Sequence, residues 1–214
     1  MSEVKKNTLS EYLTFLNKIM RHDIANALAA IRGALEIVKE MPEKSDKVVS
    51  LAMNRIDYTS KLIDDVRALE KTLEELKPIN VAELVKEVVK AYEDVSIELN
   101  LKDVKVMANE GLRTVINNII HNAIVHGGKD VRIRIETFSD ENYVVIRISD
   151  NGVGIPNEIK NRIFEEGFTT GNGTGLGLYI SKKILEVYNG EIVVRDNEPR
   201  GAVFEIKIPE RRVV

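Results

Sequence analysis

Apolar residues recur at Leu13, Leu16, Met20, Ile24, Ala27, Ile31, Ala34 and Val38, in steps of three and four. At roughly 100° per residue, those steps draw one stripe along a helix. The pattern predicts a helix over residues 9–41. Pro42 stops it, and Ser45 or Asp46 is placed to cap the next one. A second series, Ala52, Thr59, Leu62, Val66, Leu69, Leu73 and Leu76, has near-heptad spacing apart from one gap near Arg55, and predicts a helix over 47–76. Two long helices joined by a short turn form an antiparallel hairpin. Such a hairpin cannot bury both sides of its stripes alone, whereas two of them paired into a four-helix bundle can. A homodimer through residues 9–76 is the expected arrangement, with a monomer whose hairpin packs on its own C-terminal half as the competing one.

After residue 76 the pattern changes. Residues 77–80 read as a linker punctuated by Pro78. Beyond it the sequence predicts a helix over 81–92, short strands at 96–101 and 105–108, and a helix over 110–125. Alternating strands at 130–138 and 143–149 flank a turn at 139–142. A glycine-rich segment over 151–173 leads into a helix ending near 188, and strands at 191–196 and 202–208 close the series. Strands with helices between them predict an α/β sandwich of the α+β type, with a mixed, mostly antiparallel sheet covered by helices on one face. The expected organisation is a helical hairpin over 1–76, the linker 77–80 and the sandwich over 81–214.

Composition narrows the function classes. A chain of 214 residues with 43% apolar and 30% charged residues has a globular composition, with room for one or two domains. A net charge of -3 makes no case for nucleic-acid binding. No apolar run approaches the ~18–20 residues of a membrane span, and the first residues lack the apolar core of a signal peptide. With no cysteine, disulfides, thiolate zinc sites and cysteine nucleophiles are excluded.

Three stretches hold candidate chemistry. His22, one of three histidines, lies in Arg21-His22-Asp23-Ile24-Ala25-Asn26, two residues from Met20 and two from Ile24. The helical period turns it away from the apolar stripe, where a neutral imidazole is a nucleophile a partner can reach. Asp23 can take or orient the proton on one ring nitrogen, and Asn26 lies one turn on. Asn118 and Asn122 share one face of an otherwise apolar helix, and an amide oxygen suits Mg²⁺ carrying substrate phosphates. Asp150-Asn151-Gly152-Val153-Gly154-Ile155-Pro156 follows directly on a strand. A carboxylate there can accept from an exocyclic amine, while the glycines let the backbone approach a flat ring. Residues 171–178, rich in glycine, open a helix and form an anion site suited to phosphates, without the Lys of a Walker loop.

Taken in order, these pieces resemble the sensor histidine kinases of two-component signalling. The H box is Arg21 to Asn26, the N box Asn118 to Ala123, and the first glycine box Asp150 to Pro156. An F box, Ile163-Phe164-Glu165-Glu166-Gly167-Phe168, precedes the second glycine box, Gly173-Thr174-Gly175-Leu176-Gly177-Leu178. The resemblance covers residues 9–209. It implies a dimerisation and phosphoacceptor hairpin joined to a catalytic domain that binds ATP and Mg²⁺. By that carry-over His22 is the phosphorylated residue, Asp23 its general base, and Asn26 the residue that orients water for dephosphorylation. Asn122 is expected to ligate Mg²⁺ with Asn118 in support, and Asp150 to read the adenine amine above a floor of Gly152 and Gly154. Gly173, Gly175 and Gly177 are expected to let a lid wrap the phosphates, anchored by Phe164 and Phe168.

The implied activity is autophosphorylation at His22 and transfer to an Asp of a response regulator receiver domain, with a phosphatase activity toward it. The alternatives are a non-catalytic or phosphatase-biased dimeric adaptor, and an ATPase of the same fold that lacks an acceptor. A sensor domain upstream, or a separate sensor partner, is implied. The expected location is the cytoplasm, or the cytoplasmic portion of a longer sensor. Three positions depart from the family pattern: Asp23 where Glu is frequent, Ile124-Val125-His126 where a Lys or aromatic is usual, and Ala202 where Thr is usual.

Overall fold

The computed structural model of the protein describes residues 21, 24–41, 45–71, 74–171 and 175–210. His22, Asp23 and Gly173 lie outside the described residues, as do Leu13, Leu16, Met20 and Leu73 of the two stripes. The chain divides into a helical unit, Met1–Glu70 together with Gly171–Thr174, and a second unit, Lys71–Thr170 with Gly175–Val214.

In the helical unit, α1 covers 24–40 and α2 covers Ser45–Lys71. The predicted stripes are the least exposed parts of both helices. Ala27 is 1% exposed, and Ile24, Ile31, Ala34 and Val38 are half-buried. On α2, Leu62 and Val66 are buried, with Ala52 and Thr59 half-buried. Thr59 settles its hydroxyl on the backbone oxygen of Arg55 at 2.8 Å. A second apolar series stays in water: Leu28 and Leu35 on α1, both 62% exposed, and Val49, Met53 and Ile56 on α2. The helix predicted to reach residue 76 stops earlier, since 74–76 are not helical. The leucine period outruns the helix: the chain at 74–76 leads into a strand, whose first residue, Lys77, is held extended by Pro78.

The second unit opens with a correction. Residues 77–80, expected as a linker, are a strand, β1 (Lys77–Asn80), paired antiparallel with β3 (Lys105–Ala108). Asn80 then caps α3 (Val81–Val89) by accepting the Glu83 N–H at 3.2 Å. One 3₁₀ turn, Lys90–Tyr92, completes the predicted helix. The remaining strands are β2 (Ser96–Leu101), β4 (Arg132–Asp140), β5 (Tyr143–Asp150), β6 (Glu191–Asp196) and β7 (Ala202–Pro209). They form one five-stranded sheet in the order β2-β4-β5-β7-β6. Only β2–β4 is parallel, so the sheet is mixed and mostly antiparallel.

Two longer helices, α4 (Gly111–Gly127) and α5 (Gly177–Val187), pack on each other and on the sheet. Strand alternation sends Ile133, Ile135, Ile146, Ile148, Phe204 and Ile206 to this side, against Leu112, Ile116, Ile119 and Ile120 of α4 and Ile180 and Ile184 of α5. The other face has ion pairs in place of helices. Arg147 donates through Nε and Nη2 to one oxygen of Glu205, at 3.0 and 2.8 Å, and lies over the Phe138 ring. Arg195 pairs with the other Glu205 oxygen at 3.5 Å.

Candidate active site

Asp150 ends β5, whose neighbours in the sheet are β4 and β7. Its side chain is buried, and one oxygen is fully engaged: Oδ1 accepts the N–H of Gly152 at 2.8 Å and of Ala202 at 3.2 Å. Among the described residues Oδ2 has no hydrogen-bond donor. The Asp150 backbone oxygen accepts from the Asn197 amide at 2.8 Å, which ties the β6–β7 turn to the end of β5. Gly201 packs so tightly here that a Cβ would stand 1.9 Å from that same oxygen. At Gly152 a Cβ would meet Asp150 Oδ1 and Gly127 Cα, each at 2.9 Å. The first glycine box is therefore closed against the end of the N-box helix, and Gly154, with φ of 76°, turns the chain beside Gly201. A groove of about 380 Å³ runs outside this turn, lined by Val153, Ile155, Pro156, Asp196 and Arg200.

The two N-box asparagines do different things. Asn118 is buried, and its amide donates to the Gly177 backbone oxygen at 3.0 Å and to Ser181 Oγ at 3.3 Å. It pins the start of α5 to the middle of α4. Its Oδ1 takes no hydrogen bond among the described residues. Asn122, one turn on, is half-buried, with neither end of its amide paired among the described residues. His121 and His126 on the same helix are exposed.

Phe164 is buried in the 3₁₀ turn Arg162–Phe164. Phe168 is half-buried, with the Arg162 guanidinium 4.9 Å from its ring centre. The F box and second glycine box meet through backbone. A Cβ on Gly175, whose φ is 67°, would lie 2.4 Å from the Gly167 carbonyl carbon. Gly177 begins α5, and its missing Cβ leaves room for the Asn118 amide. On the helical unit Asn26 is exposed, and the H-box pair His22 and Asp23 lies outside the described residues.

Sequence reading placed Gly201 and Ala202 in a last glycine motif near the adenine, but missed Asn197 and the backbone contacts by which Gly201 and Ala202 support Asp150. Two of the three act through backbone. For Asn197, only the Asn-x-x-x-Gly spacing of the turn carried any signal.

A helical unit joined to an α/β sandwich, with a buried acceptor beside close-packed glycine loops, is the architecture of a nucleotide-binding signalling ATPase. The sequence comparisons agree. Residues 107–212 match the family described as histidine kinase-, DNA gyrase B- and HSP90-like ATPase, and residues 12–75 match the His Kinase A (phospho-acceptor) domain. The chain belongs to the sensor histidine kinases of two-component systems. It is 28% identical to the signal transduction histidine-protein kinase AtoS of Escherichia coli over 219 residues, covering 94% of this chain and 36% of AtoS. The chain thus spans roughly a third of that relative. The catalytic domain of histidine kinase ThkA is 31% identical and superposes with a TM-score of 0.60, over 64% of this chain and 97% of that one. A structure of ThkA in complex with the response regulator protein TrrA is 26% identical, with a TM-score of 0.73 over 99% of this chain and 68% of that one. Among the described residues no helix is long and apolar enough to cross a membrane.

Proposed function

We propose that this chain is the catalytic core of an ATP-dependent protein histidine kinase, which phosphorylates His22 and passes the phosphoryl group to an Asp of a response regulator. The observation that carries the reading is the buried Asp150, with one oxygen saturated by backbone and the other unpartnered among the described residues. A lone buried acceptor costs free energy unless a ligand meets it, and an adenine amine is the donor this arrangement suits. Asn118, Asn122 and the open start of α5 offer polar groups toward the phosphates. Gly152, Gly154, Gly173, Gly175 and Gly177 let backbone close on the nucleotide, and Phe164 and Phe168 anchor the lid.

The donors present fit Mg²⁺. Among the described residues no cluster of three His, Cys, Asp or Glu could hold a metal alone. The half-buried Asn122 amide suits an ion bound through one amide, waters and substrate phosphates. Asn122 would hold it, and bound there it would offset phosphate charge. Truncating Asn122 to Ala is expected to weaken ATP binding in Mg²⁺ by about 2 kcal/mol, roughly 30-fold. ADP binding in EDTA should not change. Equal loss in both titrations would remove the metal role.

In the reaction, Asp23 takes or orients one imidazole proton so that the other nitrogen attacks the γ-phosphorus in line. An N–P bond forms, the β,γ P–O bond breaks, and ADP leaves with the electron pair. Asn26 would orient water when the regulator is dephosphorylated. Two units carry acceptor and nucleotide, so a hinge must lie between them; because 77–80 is a paired strand, that hinge is not there. The exposed series Leu28, Leu35, Val49, Met53 and Ile56 supports a homodimer through the hairpin. The response regulator, an upstream sensor or sensor partner, and action in the cytoplasm complete the reading.

The test is incubation of the full chain with γ-labelled ATP and Mg²⁺. An acid-labile, base-stable label is expected. ATP hydrolysis with no label would favour a plain ATPase. Nucleotide binding with neither would favour a phosphatase-biased adaptor.

A further inference from the structure

Among the described residues, Asn109 and Tyr188 form a buried polar network that the nucleotide site does not use. Asn109, between β3 and α4, is 6% exposed, and Tyr188, at the end of α5, is 4% exposed. The Tyr188 hydroxyl donates to Asn109 Oδ1 at 2.6 Å, and the same oxygen accepts the Gly111 N–H at 3.1 Å. The other end of the amide donates to the backbone oxygen of Glu74 at 3.2 Å. Burial raises the Tyr188 hydroxyl well above its ordinary value, so it stays protonated and keeps donating.

Glu74 lies three residues before β1, and the register of β1 on β3 brings Lys77 opposite Ala108, the neighbour of Asn109. Further bonds follow along the chain. The Val81 N–H donates to the Val104 oxygen at 3.0 Å, and the Asn80 amide donates to Asp103 at 2.7 Å. Residues 74–81 are thus fastened to the ATP-binding unit at several points. Asn109 joins the first of them to α5, whose other end is held by Asn118 at Gly177. The helix that opens at the second glycine box and the segment that leads in from the helical unit share one asparagine.

We infer that Asn109 is a positioning residue for phosphoryl transfer: it latches residues 74–80 onto the ATP-binding unit and keeps them from taking part in the hinge. The positioning role rests on the kinase reading above; the latch itself does not. A hinge confined in this way limits how far the nucleotide-bearing unit wanders while it seeks the acceptor, which is an orientation effect.

Asn109→Asp isolates the latch. A carboxylate still accepts from Tyr188 and Gly111 but cannot donate to the Glu74 oxygen. In the full chain, amide exchange across residues 74–80 should speed up about tenfold or more while α4 and α5 keep their protection. Autophosphorylation at saturating ATP should fall about tenfold, with nucleotide affinity held within about twofold. Tyr188→Phe keeps the Glu74 bond and should leave exchange at 74–80 unchanged. Wild-type exchange in Asn109→Asp overturns the latch. Loss of rate in proportion to nucleotide affinity overturns the positioning role. A wild-type chain that takes no phosphate refutes the kinase reading, and the exchange arm still decides the latch.

Discussion

Replacing His22 by Ala is expected to drop phosphate incorporation from ATP to background. Nucleotide affinity should stay within about twofold, because His22 is not among the groups proposed to hold the nucleotide. The stripe Ile24, Ala27, Ile31, Ala34 and Val38 is the least exposed side of α1, and Asn26, which the period places one turn beyond His22, is exposed. The helical period of the sequence sets His22 off the apolar stripe, so its substitution is expected to remove a nucleophile without opening a core. The other two histidines set the control. His121 and His126 are both exposed on α4, so a label that survives in the His22 variant is to be sought there by mapping the phosphopeptide. Equal labelling of variant and wild type would end the proposal that His22 is the acceptor.

Asp150→Asn is expected to weaken nucleotide binding by about 3 kcal/mol, on the order of 100-fold, with little change in thermal stability. The substitution is isosteric. Its amide oxygen can stay on the N–H groups of Gly152 and Ala202, so the loops around it keep their bonds. The amide nitrogen then stands where Oδ2 stood and presents a donor to the adenine amine, itself a donor. Titration of the full chain with ADP measures the loss. Unchanged affinity, with the fold intact by circular dichroism, would take base reading away from Asp150.

What the sequence disclosed depended on how local each cause was. The strands at 96–101 and 105–108 and the hairpin around Glu141 follow from alternation and turn residues, and both are present. The end of α2 differs from the expectation because Leu73 and Leu76 keep the helical period in the sequence, while 74–76 already lead without helix into β1. β1 escaped notice because four residues containing a proline resemble a linker until their partner, far along the chain, is known. The parallel pairing of β2 with β4 is likewise a long-range choice that no window of sequence contains. In the site, Asp150 could be located from its place between a strand and two glycines. The hydrogen bond from the Asn118 amide to the Gly177 oxygen could not, since an asparagine on a helix face looks alike whether it meets a ligand or a neighbouring helix.

The sheet order has a consequence for how the protein is made. β7, the last strand, lies in the interior of the sheet between β5 and β6, and Ala202 at its start supplies one of the two amides that hold Asp150. On the ribosome, β6 emerges with no neighbour to pair with, and the carboxylate waits half-held. The nucleotide unit therefore closes only after synthesis has passed residue 209. A message cut short before residue 202 yields a chain without the Ala202 amide that holds Asp150 and without the strand that joins β6 to the sheet.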